Sequence, residues 1–240
     1  MIDIEVKELK KIYSGVSVLD IPSLTIEKGE SFGLVGNNGA GKTTFFRLIL
    51  DLIRADSGFV KSKESDVAKS EAWKKYTGAY LDEGFLLDYL TPEEYFDFIG
   101  KINGMSKGDV KEFIERFSDF FNGEVFGKGK YIRDLSKGNK KKTGIAAAIM
   151  IEPEILILDE PFSNLDPSSQ ILLKKILNKL RQEKGVTLLI SSHDLNHVTE
   201  VCKRIVVLHK GEIVHDIKTS TSTLKELEEY FAKEIGEGIS

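Results

Sequence analysis

A glycine-rich run in the first fifth of the chain is the first place where residue types suggest chemistry. The run ends in Lys42 and Thr43 and follows a short apolar stretch, Ser31–Val35. Glycines let successive backbone N–H groups turn toward anionic oxygens, and the start of a following helix adds positive potential at the same place. A lysine can reach the β- and γ-phosphates of a nucleotide, and a threonine hydroxyl can bind Mg²⁺. The residues expected to bind the nucleotide here are Gly36, Asn37, Asn38, Gly39, Ala40, Gly41, Lys42, Thr43 and Thr44.

Two adjacent carboxylates follow a second apolar stretch, Ile155–Leu158. In an open α/β sheet, ligands lie at the carboxyl ends of the strands, so Asp159 and Glu160 are expected beside the glycine-rich loop. Asp159 would hold Mg²⁺ through water, and Glu160 would orient and deprotonate an attacking water. Each pattern also has an alternative without a ligand, namely a bare glycine turn and a solvated acidic pair before Pro161. Their joint occurrence, with a strand before the loop and a helix after it, favours a phosphate site.

Alternating and apolar segments predict the elements that must position these residues. Ile2–Leu9 alternates apolar and charged residues like a half-solvated antiparallel strand, whereas Ser31–Val35 has the character of a buried parallel strand. Further strands are predicted near residues 19–26, 59–60, 155–158, 186–191, 205–208 and 212–217, and helices near residues 43–52, 167–184 and 223–235, with a short helix after residue 194. These elements predict an α/β fold of the P-loop NTPase type, with a mixed sheet that joins antiparallel N-terminal strands to a parallel core.

A helical region interrupts this pattern in the middle of the chain. Thr91-Pro92 followed by Glu94 is a strong helix start, because threonine caps, proline fits the first turn and glutamate completes a capping box. Apolar residues from Val110 to Phe121 recur every three or four positions, as on one face of an amphipathic helix. The predicted division of a single domain, residues 1–240, is a core of residues 1–90 and 152–217, an inserted helical subdomain of residues 91–151, and a C-terminal helix of residues 218–240.

Composition narrows the class of protein. The chain has 240 residues, 41% of them hydrophobic and 30% charged, which is ordinary for a globular domain. The formal net charge of −4 gives no reason to expect nucleic acid as a partner. No apolar run approaches the roughly 20 residues that cross a bilayer, and the N-terminal residues lack the pattern of a signal peptide. We therefore expect a cytoplasmic chain with no direct membrane insertion, linked to a membrane only through a partner.

Three further motifs occur in a fixed order around the two phosphate-site motifs. Leu135-Ser136-Lys137-Gly138-Asn139 precedes a predicted helix, Ser163-Asn164-Leu165-Asp166 follows the acidic pair, and His193 follows the strand near residues 186–191. With them, nearly the whole chain resembles an ABC ATPase. The first motif resembles the Leu-Ser-Gly-Gly-Gln signature, the second resembles the D-loop, and His193 resembles the switch histidine of that family.

The resemblance implies a sandwich of two ATPase subunits, which we expect to be a homodimer, with Mg²⁺ and ATP between one subunit's phosphate loop and the partner's signature. Ser136 and the Gly138 amide would contact the γ-phosphate across the dimer, and Asp166 would join the interface. His193 would bind the γ-phosphate and, with Lys42 and Glu160, make up the catalytic set. Tyr13 occupies the place of the aromatic residue that stacks on adenine, although it could also be a surface tyrosine near a strand end. An integral membrane permease would be the other partner, and this chain would be peripheral to it on the cytoplasmic face of the cell membrane.

The sequence departs from the family pattern at two places. Glu83, or less favourably Asp82, stands where the family has a loop glutamine that binds Mg²⁺, and a carboxylate can still bind a hard cation. In the signature, Lys137 replaces a glycine and Asn139 replaces the glutamine. The Ser-Lys-Gly form resembles the export-type branch with two-subunit permeases.

The leading hypothesis is therefore the ATP-hydrolysing subunit of an ABC transporter. A soluble ABC ATPase that acts in macromolecular assembly, such as an iron–sulfur scaffold subunit, is the alternative. A structural subunit that binds ATP without hydrolysing it is the third possibility, and the intact catalytic set argues against it. The basic run Lys137–Lys142 is read either as attraction for phosphate or an anionic partner, or as a solvated helix face.

Overall fold

Two β-sheets form the core of the computed structural model, which describes residues 1–237. The strands are β1 (Ile2–Tyr13), β2 (Val16–Glu27), β3 (Ser31–Val35), β4 (Ser57–Ser62), β5 (Ser65–Asp66), β6 (Thr77–Tyr80), β7 (Ile155–Leu158), β8 (Thr187–Ser192), β9 (Arg204–His209) and β10 (Glu212–Lys218). The α-helices are α1 (Lys42–Ile49), α2 (Pro92–Ile102), α3 (Lys107–Arg116), α4 (Ser118–Phe121), α5 (Lys137–Met150), α6 (Pro167–Lys184), α7 (Leu195–Val201) and α8 (Thr223–Glu237). The predicted α/β fold with a mixed sheet is confirmed.

The larger sheet has the strand order β10-β9-β3-β8-β7-β6. Its β6, β7, β8, β3 and β9 run parallel, and β10 pairs antiparallel with β9 at one edge. Every residue of β3, β7 and β8 is buried, which explains why these strands read as short apolar runs in the sequence. Since parallel strands end at the same edge, Val35, Leu158 and Ser192 all lead into loops on one side of the sheet.

The smaller sheet, in the order β2-β1-β4-β5, is antiparallel throughout. Its first two strands form a hairpin closed by Ser14 and Gly15, both with positive φ. The sequence predicted only residues 2–9 and 19–26 as strands here. Both strands are longer because cross-strand pairing extends to Tyr13 and Val16, where the side chains are exposed and the apolar pattern fades.

The inserted helices pack around an aromatic cluster. Phe96 lies 6.1 Å from Phe113 and 6.0 Å from Phe121 between ring centroids, and all three are buried. The predicted capping box of α2 is present, with the Thr91 hydroxyl accepting from the Glu94 N–H at 3.2 Å. The prediction of a single amphipathic helix from Val110 to Phe121 is wrong in one respect. It is divided into α3 and α4 at Phe117, which follows the last residue of α3 and precedes the first residue of α4.

Two predicted helix boundaries also need correction. The first helix ends at Ile49 instead of near Leu52, because Asp51 takes a positive φ of 47° and the chain turns away. The C-terminal helix begins at Thr223, in agreement with the helix predicted near residues 223–235, whereas the wider C-terminal segment of residues 218–240 starts too early, because Lys218 ends β10. Residues 238–240 of that segment lie outside the described residues. Along residues 1–237 we find no helix that combines the length and apolar character needed to span a membrane.

Candidate functional site

The glycine-rich loop connects β3 to α1, and close approaches of neighbouring backbone shape it. Gly41 has a φ of 106°, and a Cβ there would lie 2.9 Å from the carbonyl oxygen of Val18. A Cβ on Gly36 would lie 2.3 Å from the carbonyl oxygen of Leu208. Ala40 accepts a backbone hydrogen bond from Gly211, so the turn between β9 and β10 packs against the loop and supports it. These contacts explain why the loop requires glycine at both positions.

Lys42 is the first residue of α1 and is only 7% exposed. Its Nζ donates to the carbonyl oxygen of Gly36 at 2.6 Å and reaches that of Asn37 at 3.4 Å. The ammonium group also lies 3.6 Å from Oε1 of Glu160. The structure therefore holds this lysine across the loop, where an anion bound by the loop would meet its charge.

Asp159 follows β7 and is buried in a network of hydroxyl groups. The Thr43 hydroxyl donates to its Oδ2 at 2.5 Å, and the Ser191 hydroxyl donates to its Oδ1. Burial raises the pKa of the Asp159 carboxyl, while these two hydrogen bonds act in the opposite direction. Thr43 and Asp159, the two residues expected to hold Mg²⁺, are thus brought into direct contact. An oxygen pair of this kind is the donor chemistry that Mg²⁺ prefers, so the residues fit that ion.

Glu160 lies between the loop and His193. Its Oε2 is 2.9 Å from Nδ1 of His193, which is exposed after β8, and its Oε1 faces Lys42. The Glu160 backbone has a φ of 47°, unusual for a residue other than glycine, and its N–H donates to the Ser191 hydroxyl at 3.0 Å. The three predicted catalytic residues, Lys42, Glu160 and His193, therefore lie together at the carboxyl edge of the sheet.

Ser191 is a site residue that the sequence reasoning missed. It is fully buried, and its hydroxyl contacts both carboxylate residues: it donates to Oδ1 of Asp159 and accepts from the N–H of Glu160. The signal was a pair of serines at the end of an otherwise apolar strand, directly before His193.

A cavity of about 270 Å³ opens beside the glycine-rich loop. Its lining residues are Tyr13, Val18, Asn38, Gly39, Ala40, Gly41, Lys42, Thr43, Thr44 and Glu160. The Tyr13 side chain is 48% exposed, and the Lys11 ammonium lies 5.1 Å from the centre of its ring. A planar group could stack on an exposed ring at this place.

The signature-like residues lie at two neighbouring helix starts. Ser136 caps α5 by accepting from the Asn139 N–H at 3.2 Å, and Asp166 caps α6 by accepting from the Ser169 N–H at 2.9 Å. Gly138 packs against the loop before α6, because a Cβ there would lie 2.8 Å from the carbonyl oxygen of Asn164. Among residues 1–237, no hydrogen bond or ion pair joins Ser136 or Asp166 to the glycine-rich loop. The structure therefore brings these residues together with each other but not with the catalytic set.

Hydrogen bonds from the Ser168 and Ser169 hydroxyls and the Ser169 N–H hold the pKa of the Asp166 carboxyl well below its usual range. Lys142, buried on α5, also lies 3.5 Å from Oδ2 of Asp166.

The two carboxylates that could replace the loop glutamine point to different neighbours. Asp82 accepts from the Gly84 N–H at 2.7 Å and lies 3.4 Å from a guanidinium nitrogen of Arg47. Glu83 and Asp82 both line a cavity of about 310 Å³ together with Lys141, Asp159 and Glu160. Glu83 thus faces the same space as the acidic pair, although it makes no described hydrogen bond to Asp159 or Thr43.

Comparison with known proteins gives a consistent result. The ABC transporter family model matches residues 19–163 of the chain. The bacitracin transport ATP-binding protein BcrA of Enterococcus faecalis is 34% identical over 223 residues, covering 90% of this chain and 70% of its own length. An uncharacterized ABC transporter ATP-binding protein of Synechocystis is 33% identical over 219 residues, covering 88% of this chain, and the chain spans 61% of that relative's length.

A solved structure of a dimeric ATP-binding cassette, in a post-hydrolysis state with bound ADP and phosphate, superimposes with a TM-score of 0.80. It is 24% identical and covers 90% of this chain and 99% of its own. At that identity the likeness shows the fold alone. The family match and the relatives above 30% identity carry the assignment to a family.

Proposed function

This chain belongs to the ABC transporter family, and from that premise we propose that it is the ATP-binding and ATP-hydrolysing subunit of a transporter. The observation that carries the proposal is the convergence of Lys42, Glu160 and His193 beside the glycine-rich loop, with 2.9 Å between His193 and Glu160. The family match agrees with the predicted ATPase class. The residue roles below are our own assignments.

In the proposed complex, the loop residues 36–44 surround the phosphates of ATP with backbone N–H groups, and Lys42 binds the β- and γ-phosphates. The adenine stacks on Tyr13 at the mouth of the same cavity. Thr43 and Asp159 hold Mg²⁺, directly or through water, with Glu83 as a further ligand. When bound, this ion offsets the negative charge of the phosphate oxygens.

Hydrolysis needs a base that faces the γ-phosphate. Glu160 is placed beside Lys42 and can accept a proton from a water that attacks the γ-phosphorus. His193 can donate a hydrogen bond to the γ-phosphate while its Nδ1 meets Glu160, so it links the base to the bound nucleotide. Lys42 counters the negative charge that remains on the leaving phosphate oxygens.

The isolated chain holds only part of the proposed active unit. Ser136, Gly138 and Asp166 belong to the second half, which a partner subunit supplies across a homodimer interface. The separation of these residues from the glycine-rich loop within one chain supports this arrangement, as does the dimeric cassette of the same fold. ATP binding would close the dimer, and hydrolysis with release of phosphate would open it again.

The other proposed partner is an integral membrane permease, which this chain would contact as a peripheral subunit on the cytoplasmic face of the cell membrane. Its contact region is the surface around Glu83 and Tyr89, where Tyr89 is 76% exposed and Phe85 51%. Tyr95, further along the same segment, is buried in the core and does not belong to the surface. The Ser136-Lys137-Gly138 form of the signature supports the export direction. The relative BcrA, named for bacitracin transport, supports a transport role in general.

The catalytic assignment is tested with Glu160→Gln. We expect the variant to bind ATP, to hydrolyse it about a hundredfold more slowly or worse, and to form a dimer in gel filtration when ATP is present. Turnover at the normal rate would remove Glu160 from the role of base.

The transport assignment is tested by purifying the tagged protein from detergent-solubilised membranes of its own cell. A stoichiometric membrane protein with several spans is the expected partner. Recovery of soluble partners alone, with the tagged protein absent from the membranes, would favour a role in macromolecular assembly.

A further inference from the structure

Lys141 is a buried lysine near the active site that the proposed mechanism does not use. It lies one turn into α5, is 6% exposed, and directs its Nζ out of the helix toward the loop after β7. There Nζ donates to the carbonyl oxygen of Glu160 at 2.6 Å and to the Ser163 hydroxyl at 2.6 Å. Its neighbour Lys142 is also buried but pairs with the carboxylates of Glu124 and Asp166. Within residues 1–237, Lys141 forms no such ion pair.

Placing an ammonium group in the interior is unfavourable unless charges or polar groups compensate it. Burial lowers the pKa of Lys141, whereas the carboxylates of Glu160, Glu83 and Asp159 favour its charged form. These three residues, a fourth carboxylate residue, Asp82, and Lys141 line one cavity of about 310 Å³, and Lys141 is the only cation in that lining. Its positive charge therefore offsets the negative charges of all the acidic groups around the cavity.

The backbone of Glu160 also depends on Lys141. With a φ of 47°, Glu160 occupies a region that residues other than glycine avoid, so its neighbours must hold it there. The Ser191 hydroxyl accepts a hydrogen bond from the Glu160 N–H. Lys141 Nζ and the Ser163 hydroxyl both donate to the Glu160 carbonyl oxygen, the hydroxyl at 3.0 Å. The direction of the Glu160 side chain follows from this backbone conformation.

We propose that Lys141 is a positioning residue for Glu160, and that its ammonium group offsets the carboxylate of Glu83 in the shared cavity. The inference rests on the proposed ATPase function and adds a residue to it. It also connects two regions, because α5 is capped by Ser136, which we assign to the partner's nucleotide, while Glu160 acts on the chain's own nucleotide.

The test is steady-state ATP hydrolysis by Lys141→Met, which keeps the length of the side chain and removes its charge. We expect kcat to fall about tenfold or more, with the KM for ATP within about twofold of the parent value, since the glycine-rich loop is untouched. Lys179→Met is the matched control, because Lys179 lies exposed on α6 and pairs only with Glu183 among the described contacts. The control is expected to retain the parent kcat.

A double-mutant cycle with Glu83→Gln tests the charge relationship. Loss of Glu83 as a proposed Mg²⁺ ligand lowers kcat in both backgrounds, so the charge relationship appears in the difference between them. We expect Glu83→Gln to be at least about threefold more favourable for kcat in the Lys141→Met protein than in the parent, since the double variant lacks both the lysine charge and the carboxylate that it offsets. Circular dichroism and the melting temperature establish that each variant is folded. If Lys141→Met does not fold, Lys141→Gln, which retains a donor, replaces it with the same expectations.

A folded variant at residue 141 whose kcat lies within about twofold of the parent would overturn the inference, as would a rise in KM at constant kcat. The absence of coupling to residue 83 would overturn its electrostatic part. A parent protein that hydrolyses no ATP would instead overturn the proposed function itself, so the two failures are distinguishable.

Discussion

The end of the parallel sheet and the starts of α5 and α6 form two halves of the proposed site, and they are built differently. At the sheet end, Asp159 is buried, and each of its carboxylate oxygens accepts a hydrogen bond from within the chain. At the helix starts, Ser136 and Asp166 are exposed and serve as caps for their own helices. The first half is preorganised by one chain, whereas the second half exposes groups that we propose to act on the nucleotide of a partner subunit.

Damage to the two halves should therefore have different signatures. Changes at the sheet end should alter nucleotide binding or turnover per subunit. Changes at the helix starts should leave binding to a single subunit intact and should act on assembly of the closed dimer.

The largest expected effect is that of Lys42→Ala at the sheet end. Removal of the ammonium group that spans the loop should weaken ATP binding by about a hundredfold or more, because a buried charge that meets phosphate is lost. Titration with a fluorescent ATP analogue measures the affinity. Lys174→Ala, which breaks a surface pair with Glu200, is the control and should bind normally. Equal affinity of both variants would contradict the role given to Lys42.

The next effect is expected for Gly138→Ala at the helix starts. The new methyl group would meet the Asn164 carbonyl oxygen at 2.8 Å, so α5 and the loop before α6 must move apart. We expect ATP hydrolysis to fall by about tenfold or more while the affinity of the single subunit for nucleotide stays unchanged. The matched control is Gly108→Ala on α3, where the nearest neighbouring atom, the Ser106 hydroxyl oxygen, is 3.4 Å away. A loss of nucleotide affinity in Gly138→Ala would contradict the claim that the helix starts do not take part in nucleotide binding by a single subunit.

A smaller effect on turnover is expected for Ser191→Ala. This change leaves Oδ1 of Asp159 and the N–H of Glu160 without their described partner, and both lie in the interior. An unsatisfied buried group costs about 1–3 kcal/mol, so the free energy of unfolding should fall by that order. Urea denaturation measures the loss, and kcat should decrease with it. Unchanged stability would mean that the serine hydroxyl is not needed to satisfy these groups.

The smallest effect is expected for Asp166→Ala, which removes the cap of α6 and should lower the free energy of unfolding by about 1 kcal/mol at neutral pH. The pKa of this carboxyl is lower in the folded state than in the unfolded chain. Its stabilisation is therefore present above the ordinary aspartate pKa and is lost as the pH falls toward the folded value. Melting temperatures of parent and variant should converge on acidification below about pH 4. A constant difference down to pH 2 would contradict this account.

The family, the fold and the grouping of Lys42, Asp159 and Glu160 were predictable from the sequence. Buried parallel strands read as apolar runs, and the ends of such strands share one edge, so motifs far apart in sequence could be placed together. The length of the β1–β2 hairpin was not predictable, because its outer half is exposed and stabilised by pairing between strands. The role of Ser191 was also hidden, since a serine at a strand end gives no sign of which carboxylate it will meet.

The basic run Lys137–Lys142 is a second case in which the sequence could not predict the contacts of individual side chains. It read as one feature, yet Lys141 and Lys142 are buried with separate partners, and Lys137 and Lys140 are not buried. Sequence spacing along one helix could not reveal that division, because it depends on the loop after β7 and on the start of α6.

The support of the glycine-rich loop by the β9–β10 turn has a consequence for how the protein is made. The Ala40 carbonyl oxygen accepts a hydrogen bond from the Gly211 N–H, and Gly36 lies against the backbone of Leu208, far along the sequence. During synthesis on the ribosome, residues 36–43 emerge long before Gly211, so the loop lacks this backing while the chain is incomplete. A nascent chain shorter than about 211 residues is therefore expected to gain no stability from ATP, because ligand stabilises only the state that binds it. Nucleotide can protect finished subunits from degradation and leave unfinished ones exposed to it.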